Sequence, residues 1–244
     1  MSCHLFADDV QLYRCCTLSD VVDCIGLING DLGAVNQWAF VNKLQLNASK
    51  SCAIIIYVRD IPYHNLPQPR LGGEVISYSD RVKNLGVVFN KTLTWDAHVD
   101  YLTVCVYGIL RRFWLLAYAT PINIRRKLVV SLILPYFLYC DVVLSSMSSE
   151  VLGRLNVLFN SCTRYVFGLR RYDHLSEFRT NILGCDFNTF LKYRYLLFLF
   201  KILRSKSPSY LYGIIRPGQS SRAQNLIVFL NPPVGIVISP FLFV

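Results

Sequence analysis

The sequence predicts an α+β chain, with mixed strand and helix over residues 1–90, helix alone over 91–206, and an apolar, proline-containing tail over 207–244. Three observations carry that reading. Short apolar runs flank Asp8-Asp9 with strand-like alternation. A β-branched run, Ile54-Ile55-Ile56-Tyr57-Val58, follows a long amphipathic stretch. From Thr94 onward the apolar residues recur at every third or fourth position instead.

Taken in order, Leu5-Phe6 and Val10 to Tyr13 read as strands joined by a tight turn at Ala7-Asp8-Asp9, since Asp suits turn geometry. Thr17 and Asp20 stand at capping-box spacing ahead of a helix that turns Val21, Ile25, Ile28, Leu32, Val35 and Ala39 inward and runs to about Phe40. Asn42 to Lys50 is polar turn material, and Ser51 to Val58 is a buried strand. Pro62, Pro67 and Pro69 mark a loop. Gly72-Gly73 then turns the chain into a short strand over Glu74–Tyr78, and Val82–Phe89 follows as a further strand.

In the helical part, Val99, Leu102, Val106, Ile109, Phe113 and Leu116 fall on one face, with Arg111 and Arg112 beside it. Thr120-Pro121 starts a helix that passes through Arg125-Arg126-Lys127 into the apolar run Leu128–Cys140, where Pro135 should kink or end it. Ser148-Ser149-Glu150 caps the next helix, which carries Val151, Leu155, Leu158, Cys162 and Val166 inward and Arg164 outward. Gly168 stops it before Leu169-Arg170-Arg171. Two more helical stretches fall near Leu175–Leu183 and Phe187–Leu203.

Composition narrows the function classes. With 53% apolar and 16% charged residues the chain is not of the disordered type. A mean hydropathy of +0.38 raises the question of a membrane span. Leu128–Cys140 is short of the ~20 residues a bilayer needs, Phe187–Leu203 contains Lys192, Arg194 and Lys201, and Asn231-Pro232-Pro233 interrupts Leu226–Val244. No span is therefore expected. The net charge of +10 is uneven: residues 1–100 hold 8 Lys+Arg against 10 Asp+Glu, and the remainder holds 17 against 5. An acidic front and a basic rear point to polyanion contact by the rear. The candidates are Arg111, Arg112, Arg125, Arg126, Lys127, Arg164, Arg170 and Arg171. The nine cysteines form no Cys-x-x-Cys pair and the four histidines complete no zinc spacing. Reduced, mostly buried thiols in an intracellular protein, nuclear or cytoplasmic, are the expectation.

The order of motifs resembles the reverse transcriptases of LINE-type non-LTR retrotransposons. Phe6-Ala7-Asp8-Asp9 is similar to their catalytic turn, Ile28-Asn29-Gly30-Asp31-Leu32 with Trp38 and then Asn42 to Lys50 to the palm segment that follows it, and Val82-Lys83-Asn84-Leu85-Gly86-Val87 to the hairpin that grips the primer end. Leu93 to Val99 is similar to the start of the thumb, and Leu134 to Val143, Phe167 to His174, Phe200 to Leu203 and Pro208 to Leu211 follow in family order. The resemblance spans nearly the whole chain and implies a partial right-hand polymerase palm followed by a thumb-like helical bundle. Lys43 departs from the pattern, standing where the family has Gly. Family members also carry fingers, an earlier palm segment with its own metal-binding Asp, and often an endonuclease upstream, so this chain is expected to be a fragment at both ends.

The resemblance implies RNA-directed DNA polymerisation on an RNA template and DNA primer, using two Mg²⁺ ions about 4 Å apart. It makes Asp8 and Asp9 metal ligands, places Lys50 near the triphosphate, and sets Leu85-Gly86 against the primer. From the residues alone, Asp8-Asp9 is equally an ordinary turn, Lys50 a solvated loop lysine and Leu85-Gly86 a β-bulge. With the upstream Asp missing, the expectation is a chain inactive by itself. The alternative is a non-catalytic nucleic-acid-binding module using the basic helical half.

Overall fold

The computed structural model describes residues 2–56, 66–220, 223–229 and 239–243. The chain is α+β, and divides into two compact units, Met1–His98 with Gly235–Val244, and Val99–Val234.

In the first unit, β1 (Ser2–Phe6) and β2 (Asp9–Tyr13) form an antiparallel hairpin in which Phe6 pairs with Asp9. The turn is therefore Ala7-Asp8, with Ala7 at φ +52°, and Asp9 is already a strand residue. The expected capping box at Thr17 does not form. Thr17 instead donates its hydroxyl to the Asp20 carboxylate at 2.6 Å, across a short 3₁₀ turn, Leu18–Asp20. Helix α1 (Val21–Val41) follows, burying Val21, Cys24, Ile25, Ile28, Leu32 and Ala39 as its spacing requires.

The end of α1 explains the departure at Lys43. The Lys43 N–H donates to Phe40 O at 3.1 Å and the Leu44 N–H to Ala39 O at 2.8 Å, the paired bonds of a Schellman cap. Lys43 adopts φ +57°, the left-handed conformation that Gly takes without a Cβ penalty.

Strand β3 (Cys52–Ile56) buries Ala53, Ile54 and Ile55; Val58 and Pro62 lie outside the described residues. The expected strand over Glu74–Tyr78 is shorter. β5 (Glu74–Val75) pairs with β4 (Arg70–Leu71) across Gly72-Gly73, and the chain then runs beside β3, where Ser77 and Ser79 bond to both backbone groups of Ala53. The expected strand over Val82–Phe89 is two strands, β6 (Arg81–Asn84) and β7 (Val87–Asn90), because Leu85 and Gly86 both take positive φ in a two-residue hairpin turn. The fourth strand of the main sheet is β10 (Ser239–Phe243), which sits between β2 and β3 to give the order β1-β2-β10-β3. Leu12, Cys24, Ile28, Leu32, Ala53, Leu71 and Ile76 form the core between α1 and this sheet.

In the second unit, α2 (Asp96–Leu115, beginning in the first unit) buries Val99, Leu102, Val106 and Leu110, while Leu116 falls beyond its end and is exposed. Helix α3 (Ile122–Leu128) passes into a π-helical turn, Val129–Ile133, and then α4 (Leu134–Leu138). Pro135 thus does not end the helical path, which is distorted into a π-helical turn just before it. Its missing N–H and its ring fall where the wider turn has already displaced the ladder. Helix α5 (Ser149–Phe167) starts with the Ser148 hydroxyl accepting the Val151 N–H at 3.3 Å and ends at Gly168, φ +68°. No helix forms over Leu175–Leu183. Its backbone bonds are isolated turns, ending at Gly184 with φ +81°. Thr180 and Asn181 weaken so short a segment as a helix. Helix α6 (Phe187–Ser205) is capped by Asp186, which accepts the Thr189 N–H at 3.0 Å. Phe159 and Phe187 stack in the core with Phe137 edge-on to both, and α7 (Ser209–Ile214) leads to the β8–β9 hairpin (Ile215–Ser220, Ala223–Phe229).

None of the nine cysteines, all among the described residues, is in a disulfide. Only Cys24 and Cys162 are buried, and Cys3 and Cys15 are exposed, so the thiols are less enclosed than composition suggested. No described helix is long and apolar enough to cross a membrane.

Candidate nucleic-acid interface and carboxylate hairpin

Eight basic side chains were candidates for phosphate contact, and the fold sorts them. Arg111, Arg164, Arg170 and Arg171 line one open groove of about 1300 Å³ between α2, α5 and the segment after Gly168. Helical spacing places Tyr107, Arg111 and Trp114 along one side of α2, and Val157, Asn160, Ser161 and Arg164 answer from α5. The Tyr107 and Ser161 hydroxyls are 3.2 Å apart and tie the two walls together.

The left-handed Gly168 turns the chain off α5 so that Arg170 and Arg171 rejoin the groove that Arg164 borders. The Arg164 Nε–H donates to Arg170 O at 3.3 Å, and the Arg170 N–H donates to the Asp173 carboxylate at 2.6 Å. Loop and helix are thus tied together where Arg164, Arg170 and Arg171 line the groove. Trp114, 44% exposed, lines the same groove. Arginine forks beside an aromatic surface suit phosphate oxygens and stacked bases or sugars.

The other four candidates stand elsewhere. Arg125 is half-buried and committed to backbone carbonyls: its Nε–H donates to Thr120 O at 2.8 Å, its other nitrogens bond to Ala117 O and Tyr165 O, and it lies over the Tyr165 ring at 5.9 Å. Arg126 donates to Ile182 O at 3.1 Å. Arg112 and Lys127 are exposed and outside the groove lining. Sequence reading missed Tyr107 and Trp114. Their spacing of four and three residues from Arg111 was the available signal.

In the first unit, Asp8 and Asp9 are both exposed at the hairpin tip. Strand alternation puts Asp9, Gln11 and Tyr13 on the face opposite the buried Leu12. Gln11 donates to Asn84 at 2.6 Å, so the face bearing Asp9 is tied to the residue just before the Leu85-Gly86 turn. Tyr13 bonds to His4 at 3.0 Å with the rings stacked. Lys50 is exposed at the end of a 3₁₀ turn, and its N–H bonds to the Asn47 side chain at 3.1 Å. The structure therefore brings the carboxylate hairpin and the Leu85-Gly86 turn together through one hydrogen bond. Among the described residues, no cluster of three or more His, Cys, Asp or Glu side chains is placed to hold a metal ion. The two exposed carboxylates do not by themselves make a two-ion Mg²⁺ clamp.

Comparison with known proteins gives one informative match. Over 184 residues, 74% of this chain, it is 24% identical to the RNA-directed DNA polymerase from mobile element jockey of Drosophila funebris. The matched stretch spans 19% of that polymerase. No family model matches, and no solved structure matches. The relationship is distant. It supports a reverse-transcriptase-like relationship of transposable-element type.

Proposed function

We propose that this chain is a portion of a retrotransposon RNA-directed DNA polymerase, with the first unit corresponding to part of the palm and the second to the thumb. On this reading the helical unit holds the template–primer duplex. The observation that carries the proposal is the convergence of Arg111, Arg164, Arg170 and Arg171 with Trp114 on one groove. Phosphate neutralisation by such a set gives affinity without base reading, which is what a polymerase needs behind its active site.

Asp8 and Asp9 contribute carboxylates to the Mg²⁺ site of the whole enzyme, Lys50 neutralises charge on the triphosphate, and the Leu85-Gly86 turn approaches the primer end. Because two carboxylates are not a complete clamp, the chain by itself does not extend a primer. A non-catalytic nucleic-acid binder is the second reading, favoured by the groove lying wholly within the helical unit.

Two measurements test these readings. Affinity for an RNA–DNA hybrid should fall linearly on a log–log salt plot. Arg111→Gln with Arg170→Gln should lower the slope by about 2, roughly one for each phosphate no longer neutralised. Arg112→Gln with Lys127→Gln should leave it nearly unchanged. Affinity indifferent to salt, or equal effects of the two pairs, would refute the groove. Incorporation of labelled nucleotide on a primed RNA template by the isolated chain, abolished in Asp8→Ala, would overturn its inactivity.

A further inference from the structure

The strand order β1-β2-β10-β3 has an unusual dependency. In the hydrogen-bonded strand order, the hairpin bearing Asp8 and Asp9 is separated from β3 by β10, a segment more than 180 residues further along the chain. Without β10, β2 and β3 would each present an open edge, separated by two strand spacings of roughly 4.8 Å each.

The occupant is short. Phe241, Leu242 and Phe243 pair with Tyr13, Leu12 and Gln11 of β2, while β10 from Ser239 to Phe243 pairs with β3 from Ile56 back to Cys52. Pro240, which has no N–H to give, falls opposite Ile55 in the part of β10 that β2 does not flank. The segment is antiparallel to both neighbours. It has no hairpin link to either, and its register is defined by sheet pairing on both sides.

We propose that the gap between β2 and β3 is an acceptor slot for one extended antiparallel strand, with residues 239–243 as its removable occupant. A second copy of that segment, supplied as a separate peptide, takes the same register. This is strand addition from both sides, in which main-chain bonds supply the affinity. Occupancy then sets the position of the carboxylate hairpin, because β10 bridges it to the core strand.

Amide hydrogen exchange on the 244-residue chain, followed by NMR, tests the slot. Both backbone groups of Ala53 bond to Ser77 and Ser79, so alternation turns the Ile54 amide toward β10, where Phe241 is its partner. In Leu242→Pro, Ile54 should exchange at least tenfold faster while Ala53 and the α5 amides keep their rates. A synthetic peptide of residues 237–244 should restore Ile54 protection, and the same peptide carrying Leu242→Pro should not. Unchanged Ile54 exchange in the variant, or failure of the natural peptide to restore it, overturns the proposal. Should the variant lose α5 protection as well, the natural chain decides. Ile54 must then exchange at the rate of the 241–243 amides and faster than Ala53. Ile54 protection that outlasts that of 241–243 by tenfold overturns it too.

Discussion

Replacing Lys43 by Gly should stabilise the first unit. Lys43 is the left-handed residue of the α1 cap at φ +57°, and its side chain is exposed, so truncation removes no packing. An L-residue in that conformation costs about 1–2 kcal/mol relative to Gly. Gly gives back about 0.4–1 kcal/mol through the greater freedom of the unfolded chain. The net gain is about 0.5–1 kcal/mol, and both cap bonds, from the Lys43 and Leu44 N–H groups, persist because they are made by backbone. With a urea m-value of about 2 kcal/mol/M, the midpoint should rise by roughly 0.3–0.5 M. Lys43→Val provides the opposite arm. A β-branched side chain fits the left-handed region worse than Lys, and the midpoint should fall. Equal midpoints for Gly, Lys and Val would refute a left-handed Lys43 and the cap built on it.

Two further outcomes follow from buried polar groups. Asp141 has a side chain only 7% exposed and receives the Arg194 guanidinium. Arg194→Met should destabilise the second unit by about 2–4 kcal/mol by leaving that carboxylate uncompensated, whereas Arg194→Met with Asp141→Leu should recover much of that stability; thermal unfolding of the three proteins decides it. His98 is 1% exposed, its Nδ1 accepts the Val88 N–H at 3.3 Å, and burial holds its pKa below the ordinary 6.5. The unfolded chain therefore binds a proton that the folded chain resists. The His98 contribution is intact above about pH 6.5 and is lost as pH falls from there through the folded value. Urea midpoints between pH 7.5 and 5 should fall less in His98→Gln than in the natural chain, and parallel curves would contradict the assignment.

Local chemistry made much of this fold legible. Ser148 and Gly168 bracket α5 because a hydroxyl and a missing Cβ act within one turn of the helix. The face of α1 was readable because apolar spacing needs no tertiary partner. The failures share a different cause. Leu85-Gly86 carried no Asn-Gly or Asp-Gly signal, so the residues alone read Val82–Phe89 as one strand and only the resemblance implied a hairpin there. Leu175–Leu183 has apolar residues at usable spacing but buries Leu175 and Ile182 through turns. The sorting of the arginines was not legible at all. Periodicity puts Arg111 on a face of α2, but only packing decides that this face meets Arg164, and that Arg125 turns toward carbonyl oxygens while Arg170 turns to the groove.

The fixing of Arg125 has an effect on how the groove can change. Its partners at Ala117, Thr120 and Tyr165 are all carbonyl oxygens of the main chain, which every amino acid supplies. Substitutions at 117 and 120 that keep the backbone in place leave these hydrogen bonds available. A lysine at 125 cannot reproduce them, having one rotating ammonium where a planar fork spans three oxygens. The Arg125 bonds are thus insensitive to the identity of those neighbours. Arg111 and Arg171, which line the groove but make none of these carbonyl bonds, can change without removing any of them.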